Sequence, residues 1–244
     1  MKSIIIAAGY ATRLYPLTEN FPKPLLSIGG STILGRLISD IDSFPEISEH
    51  IVVTNHKFTG HFEAWAASAV TLKPIRIIDD GTSTNDTRLG AVGDLLLALG
   101  KEGIDDDILV LAADNILDFS LRGFVDAFLE KGTSMIMCHY EPELRRLQRT
   151  GVIEVDSSMK VLQMQEKPEV PVSNWAVPPF YIYKRSDLPL IRTCLESGCG
   201  HDAPGNLAHW LVDRVPVHAW QMPGRRYDIG SLDSYYEAQS LFGE

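Results

Sequence analysis

A mostly parallel α/β sheet with helices on both faces is the fold class this chain predicts, and three features point to it. Short apolar runs rich in Ile and Val suit strands buried on both sides, longer stretches of helical spacing separate them, and Gly, Ser or Asp marks several of the changeovers. Residues 3–8 read as the first strand. A helix over 32–41, N-capped by Ser31, leads to a strand at 51–54, a helix over 61–69 to one at 75–78, and a helix over 91–99 to one at 108–112. A further helix over 119–130, with Asp118 as cap and Gly132 just past its end, precedes a strand at 134–139. Alternation of this kind gives a Rossmann-like sheet, whose ligands lie beyond the carboxyl ends of the strands.

Beyond Glu141 the rhythm changes. Short strands at 151–155, 161–165 and 180–183 come close together, followed by helices at 187–195 and 207–212, a strand at 215–221 and a last helix at 232–241. This half reads as a smaller mixed or antiparallel lobe. No Gly/Ser-rich linker, repeat or low-complexity tract divides the 244 residues, so the expectation is one domain over 1–244, a core at 1–140 and a C-terminal lobe at 141–244.

The charge sum narrows the partners. With 22 basic against 32 acidic residues the net charge is −10, which disfavours a nucleic-acid binder held by bulk charge. A small anion can still be gripped by local Arg and Lys, helped by a divalent cation. Cys138, Cys194 and Cys199 show no C-x-x-C or Cys/His spacing, so neither a disulfide framework nor a zinc site is expected, and a reducing cytoplasm fits. The apolar run after Lys2 stops at Gly9, too short for a signal peptide, and no run approaches a membrane span.

Chemistry concentrates in a few segments. The first strand runs into Ala7-Ala8-Gly9-Tyr10-Ala11-Thr12-Arg13-Leu14, then Pro16-Leu17-Thr18 and Phe21-Pro22-Lys23-Pro24-Leu25-Leu26. Gly9 permits a sharp turn whose backbone N–H groups can face a phosphate, and Arg13 and Lys23 add fixed positive charge. The chain has no G-x-x-x-x-G-K-[ST], and Gly9-Tyr10-Ala11 breaks G-x-G-x-x-G, so a P-loop NTPase and a nicotinamide dehydrogenase are disfavoured. Asp114-Asn115 follows the strand at 108–112, where a ligand belongs, and Asp228 offers a second carboxylate. One or two carboxylates, completed by water and phosphate oxygens, are what Mg²⁺ prefers. The run Asp105-Asp106-Asp107 reads as a solvated turn, and His56, His61 and His209 lack metal spacing.

This first loop resembles the signature A-A-G-x-G-T-R-L-x-P-L-T, followed by P-K-P-L, of the sugar-1-phosphate nucleotidylyltransferases. Leu89-Gly90-Ala91-Val92-Gly93, Ala113-Asp114-Asn115, Gly151-Val152-Ile153-Glu154, Glu166-Lys167-Pro168 and Tyr227-Asp228-Ile229-Gly230 fall in that family's order, so the resemblance spans the chain. It implies transfer of a nucleotidyl group from an NTP to a sugar 1-phosphate, with Mg²⁺ held by Asp114 and Asp228. The implied catalytic set is Arg13 on the leaving pyrophosphate, Lys23 on the triphosphate and Lys167 on the acceptor phosphate, beside those two acids. Nucleotide contacts would come from Ala8, Gly9, Tyr10, Ala11, Thr12, Asn85, Gly90 and Ala91, and acceptor contacts from Asn115, Gly151, Glu166, Lys167 and Asn174. Residues 1–140 would then be the nucleotide-binding core and 141–244 the acceptor-binding lobe. A chain of this length leaves no room for the β-helix domain of some larger relatives.

Positions beyond the first loop depart from the family pattern. Ala113 replaces the glycine before the first acid, the glutamine that relatives place on the base is missing, with Asn85 the nearest chemical substitute, and Pro178-Pro179 stands where many relatives carry a glycine beside the sugar. The choice of NTP and of acceptor therefore stays open. A cytidylyltransferase acting on phosphocholine or a phosphonate, needing an aromatic or acidic cage from Trp175 and Tyr181, is one alternative, and a silent nucleotide-sugar-binding paralogue is another. No nucleic-acid or membrane partner is expected, and homo-oligomerisation is left open.

Overall fold

The computed structural model describes Met1–Gly243. The chain is of the mixed α/β class, with both parallel and antiparallel strand pairs, and it forms two compact units that interleave along the sequence. One comprises Met1–Arg88, Ala112–Leu121 and Gly224–Glu244, and the other Leu89–Leu111 and Arg122–Pro223.

In the first unit Glu49–Thr54 lies between Lys2–Ile6 and Ile75–Asp79, parallel to both. The register sets Ile4 opposite Ile51 and Val52 opposite Ile77, which buries Ile4, Ile5, Ile51, Val52 and Val53 completely. β-Branched side chains suit this environment because their stiff χ1 costs little on a pleated, doubly covered sheet. Thr59–Ser68 and Ile33–Ile41 are the connecting helices, and the latter turns Ile33, Leu34, Leu37, Ile38 and Ile41 inward. Its N-cap is Thr32 rather than Ser31: Thr32 is extended and its hydroxyl accepts the Gly35 N–H at 2.9 Å, whereas Ser31 pairs with Ile28 in a short antiparallel ladder.

The second unit is a sheet ordered Val161–Glu166, Gly151–Val155, Trp175–Val177, Ser134–Tyr140, Phe180–Tyr183, Ile108–Ala112. Neighbours along this path run antiparallel, and Val217–Gln221 adds a parallel pairing to Ser134–Tyr140. Leu109, Leu111, Phe124, Val125, Met137, Phe180 and Ile182 are fully buried in its core. The helix expected from 119 begins instead at Arg122, and Asp118 does not cap it. In the first unit the Asp118 carboxylate accepts the Arg225 N–H at 2.6 Å, and Leu121 N–H is taken by Asp40 at 2.7 Å.

Two further expectations are corrected in the second unit. Cys194 and Cys199 form a disulfide: the helix Pro189–Glu196 ends, Gly198 takes a left-handed conformation (φ 80°), and the chain folds back so that Cys199 N–H meets Cys194 O at 3.1 Å. Spacing alone did not reveal a pairing made by a glycine turn. The run at 105–107 is not merely solvated, because Asp105 receives both Nε and Nη2 of Arg185, at 2.6 and 2.5 Å, and Asp107 accepts the Arg185 backbone N–H at 2.8 Å.

Candidate active site

The loop leaving the first strand is bent by its backbone. Ala11 is left-handed (φ 47°), at the place where the resembled signature has a glycine, and a single 3-10 turn, Thr12–Leu14, follows. The bend is held because Ala11 O accepts the Leu14 N–H at 2.9 Å and the Thr18 hydroxyl at 2.8 Å. Ala8 O accepts the buried Asn55 amide at 2.9 Å. A Cβ added at Gly9 would meet nothing within 4 Å, so the loop is open on that side. Tyr10 is buried, and its hydroxyl lies 3.5 Å from Thr82 Oγ1. Burial first, and then the charges of Asp80 and Asp79, push that phenol above its ordinary value against the Thr82 hydrogen bond. The Arg13 side chain is exposed and engages no partner among the described residues.

Asp114 and Asp228 meet in the same unit through a small ladder. Asn115–Leu117 pairs antiparallel with Arg226–Asp228, Asn115 opposite Asp228, and Ile229 N–H donates to Asp114 O at 3.0 Å. Lys23 reaches the same place: its Nζ donates to Asp114 Oδ2 at 2.8 Å and to Ile229 O at 3.0 Å. Asp114 Oδ1 accepts the Asn115 side-chain amide at 2.6 Å, and Asn115 Oδ1 accepts Arg226 Nη1 at 2.6 Å. Burial pushes the Asp114 carboxyl up, but Lys23 and then Arg226 outweigh it and hold the group below the usual carboxylate range. Asp228 is pushed up, first by desolvation and then by the charge of Asp114, while Arg226, Lys23 and Arg13 act against the rise. No hydrogen bond to the Asp228 carboxylate is made among the described residues.

The donor set fits a hard divalent cation. Asp228 is raised by burial first and then by the like charge of Asp114, and a cation held by both carboxylates would relieve that repulsion. Among the described residues no group of three or more His, Cys, Asp or Glu side chains could enclose a metal. Mg²⁺ keeps several waters and takes phosphate oxygens, so two carboxylates are the donors it would need from the protein. A groove of about 560 Å³ in this unit, lined by Ser31, Ser39, Asp42, Trp65 and Leu72 among others, includes none of these residues.

The second unit holds the remaining candidates. Glu166 ends its strand against two glycines: a Cβ at Gly205 would collide with Glu166 Oε2, and one at Gly151 would lie 3.3 Å from it. Burial raises the Glu166 carboxyl, with Lys167 and His209 partly offsetting the rise. Lys167 is left-handed (φ 50°), its N–H donates to Thr150 O at 3.1 Å, and its Nζ stands 3.9 Å from Glu166. A non-glycine residue held at positive φ costs about 1 kcal/mol or more and persists where its surroundings impose it. The Asn174 side-chain amide donates one hydrogen bond, to Glu141 O at 2.8 Å.

Gly90 is left-handed (φ 78°) and has no room for a Cβ, which would strike His201 O. The Ala91 and Val92 N–H groups donate to Asp202 O and His201 O at 3.1 and 3.0 Å, so the start of that helix is already satisfied by backbone. Asn85 is exposed in a one-turn 3-10 segment, Asn85–Thr87.

Arg226 carries no motif in the sequence, where adjacent arginines such as Arg225-Arg226 ordinarily form a solvated pair. Gly205 and His209 carried no motif, although Pro204-Gly205 at a helix start is a visible signal.

Residues 2–243 match the family model described as nucleotidyl transferase. The chain is similar to the bifunctional protein GlmU of Methanococcus aeolicus, 28% identical over 94% of this chain and 51% of that protein. It is also similar to the glucose-1-phosphate adenylyltransferase of Fervidobacterium nodosum, 24% identical over 96% of this chain and 59% of the other. It thus spans little more than half the length of these curated relatives. The crystal structure of a Bacillus anthracis protein described as a glucose-1-phosphate thymidylyltransferase, in complex with a sucrose, shares the fold with a TM-score of 0.80 at 23% identity, covering 100% of this chain and 96% of that one. A UDP-glucose pyrophosphorylase complexed with UDP-glucose does so at 0.83 and 20% identity, covering 99% and 97%. With its family motifs present from the first strand to the last ladder, the chain belongs to the nucleotidyl transferase family, which includes the sugar-1-phosphate nucleotidylyltransferases.

Proposed function

We propose that this protein transfers a nucleotidyl group from an NTP to a sugar 1-phosphate, giving a nucleoside-diphosphate sugar and pyrophosphate. The observation that carries this reading is the ladder that sets Asp228 opposite Asn115, the neighbour of Asp114, with Lys23 bonded to Asp114 and the charge of Arg13 felt at Asp228. A divalent cation such as Mg²⁺, held by these two carboxylates, would neutralise phosphate charge and align donor with acceptor.

The chain's own residues then have separable tasks. The Gly9–Thr12 bend presents an open backbone to the triphosphate, and Arg13, without a hydrogen-bond partner among the described residues, neutralises the leaving pyrophosphate. Lys23 is shared between Asp114 and the triphosphate. Lys167 and Glu166, the latter packed against Gly151 and Gly205, receive the acceptor, with Lys167 on its phosphate. The attacking phosphate oxygen is already anionic near neutral pH, its second pKa being about 6, so no general base is required. What must be overcome is repulsion between anions, roughly 4 kcal/mol per pair of unit charges at about 4 Å and an effective dielectric of about 20.

The cation-caging alternative gains no support: Tyr181 is buried and stacked on Tyr183 at 5.8 Å, and Trp175 packs edge-on against Tyr140 at 6.0 Å. A silent paralogue is disfavoured because Arg13, Lys23, Asp114, Lys167 and Asp228 are all present. No helix among the described residues is long and apolar enough to cross a membrane. An NTP donor favours a cytoplasmic setting, and the Cys194–Cys199 disulfide is the one feature that weighs against it. Pyrophosphate release, measured for five NTPs against a panel of sugar 1-phosphates and phosphocholine, tests the function. Release with at least one NTP and sugar 1-phosphate is expected, whereas release with phosphocholine alone, or with nothing, overturns the reading.

A further inference from the structure

We propose that Arg226 is a positioning residue for the metal-binding carboxylate of Asp114, acting through the side chain of Asn115. The inference rests on the metal role given above to Asp114 and Asp228.

A guanidinium can only donate, so the 2.6 Å contact from Arg226 Nη1 fixes which end of the Asn115 amide faces it: the oxygen. The amide nitrogen is thereby turned toward Asp114, where it donates to Oδ1 at 2.6 Å. Asn115 is fully buried, so water cannot readily take over the Arg226 contact or let the amide flip at low cost. Lys23 holds the other oxygen, Oδ2, and between them the two donors set the plane of the carboxylate. The register supports the same reading. Arg226 and Asp228 are two apart on one strand and therefore project from the same face, and Asp228 is opposite Asn115. One short ladder thus supplies one candidate ligand directly and aims the other through a buried amide.

The test is a double-mutant cycle of Arg226→Ala and Asn115→Ala, read by kcat and KM for the NTP and by electron paramagnetic resonance titration of Mn²⁺ into protein without substrates. Groups that orient metal ligands typically change metal affinity or activity by about 10-fold to 100-fold. Each single variant is expected to lower kcat by about tenfold or more with KM for the NTP held within about twofold, and to weaken Mn²⁺ binding by about tenfold. The double variant should be no worse than the poorer single one, because both break the same chain of bonds. Arg226→Lys, which keeps one donor for Asn115 Oδ1, should recover most of the Mn²⁺ affinity. Multiplicative losses, or Mn²⁺ binding unchanged in Arg226→Ala, would overturn the proposal. Should Asn115→Ala fail to fold, Asn115→Ser completes the cycle. The Mn²⁺ titration needs no turnover, so a chain inactive with every substrate pair defeats the proposed function while still testing the relay. Wild-type protein that binds no Mn²⁺ defeats both the metal site and the relay.

Discussion

Lys23 Nζ lies 2.8 Å from Asp114 Oδ2, so an ammonium already occupies one of the carboxylate oxygens that a divalent cation would use. The pair is largely shielded, with side-chain exposures of 12% and 35%, and it holds Asp114 ionised before any substrate arrives. Lys23 must share or release that oxygen when the cation and triphosphate bind.

That relationship makes an unusual prediction for Lys23→Ala. Loss of a cation from the phosphate path should cut kcat by on the order of 10² or more. The same change frees Asp114 Oδ2 and removes a like charge, so Mn²⁺ should bind the substrate-free protein more tightly than it binds wild type. Electron paramagnetic resonance titration checks this, and weaker binding would show that Lys23 does not compete for that oxygen.

Asp114→Ala and Asp228→Ala should each reduce turnover by on the order of 10² to 10⁴, about 3–5 kcal/mol of barrier, without unfolding the chain. Steady-state rates at limiting Mg²⁺, alongside circular dichroism melts, decide this. Near-normal rates in both variants would remove the metal assignment.

Ala11 offers a test of the phosphate bend. Its left-handed conformation costs an L residue about 1 kcal/mol, so Ala11→Gly should be neutral or stabilising by up to about 1 kcal/mol in urea unfolding. Ala11→Val, with its branched Cβ, should destabilise by about 1–2 kcal/mol. The opposite order of stabilities would mean that the loop is not bent at this residue.

The parallel strands and their helices were legible because their periodicities were clear and their residues β-branched, and the Asp114 position followed from the strand before it. Thr32 rather than Ser31 is the cap, although both stand in one two-residue ladder, because the chain turns into the helix only after Thr32, which no local pattern signals. Asp118 looked like a cap but is committed to Arg225, a partner 107 residues away. The Arg226–Asn115–Asp114 chain was invisible for the same reason: it exists only once two distant segments pair. Cys194 and Cys199 paired through a glycine turn rather than a recognised spacing.

Stability should fall on acidification through a buried site remote from catalysis. His50 is fully buried, with Nδ1 2.8 Å from Ser3 Oγ and Nε2 3.1 Å from Asp42 Oδ1. Burial depresses the imidazole below its ordinary 6.5 despite Asp42, so the folded protein holds fewer protons on this group than the unfolded chain does. Its contribution is therefore complete above about pH 6.5 and is lost as pH falls toward the lower folded value, about 1.4 kcal/mol for each unit separating the two. The urea midpoint should drop between about pH 7.5 and about pH 5.5. His50→Gln should flatten that dependence, and an unchanged slope would contradict it.

Reducing the Cys194–Cys199 bond should cost about 2 kcal/mol of stability, the chain-entropy value for so short a loop. Since the adjoining His201 and Asp202 carbonyls hold the helix start at Ala91 and Val92, KM for the NTP should rise as well. Thermal melts and kinetics with and without dithiothreitol check both effects. Cys138 is buried and its thiol pushed up to about 12, so it should stay unreactive in the folded protein.

The proposed function requires that Asp114 and Asp228 together bind one divalent cation. Isothermal or paramagnetic titration of Mn²⁺ into wild type, Asp114→Asn and Asp228→Asn, in the presence of a non-hydrolysable NTP analogue, measures it directly. One Mn²⁺ per chain is expected in wild type, with a loss of affinity of about tenfold or more in each variant. Equal affinity in all three proteins would contradict it.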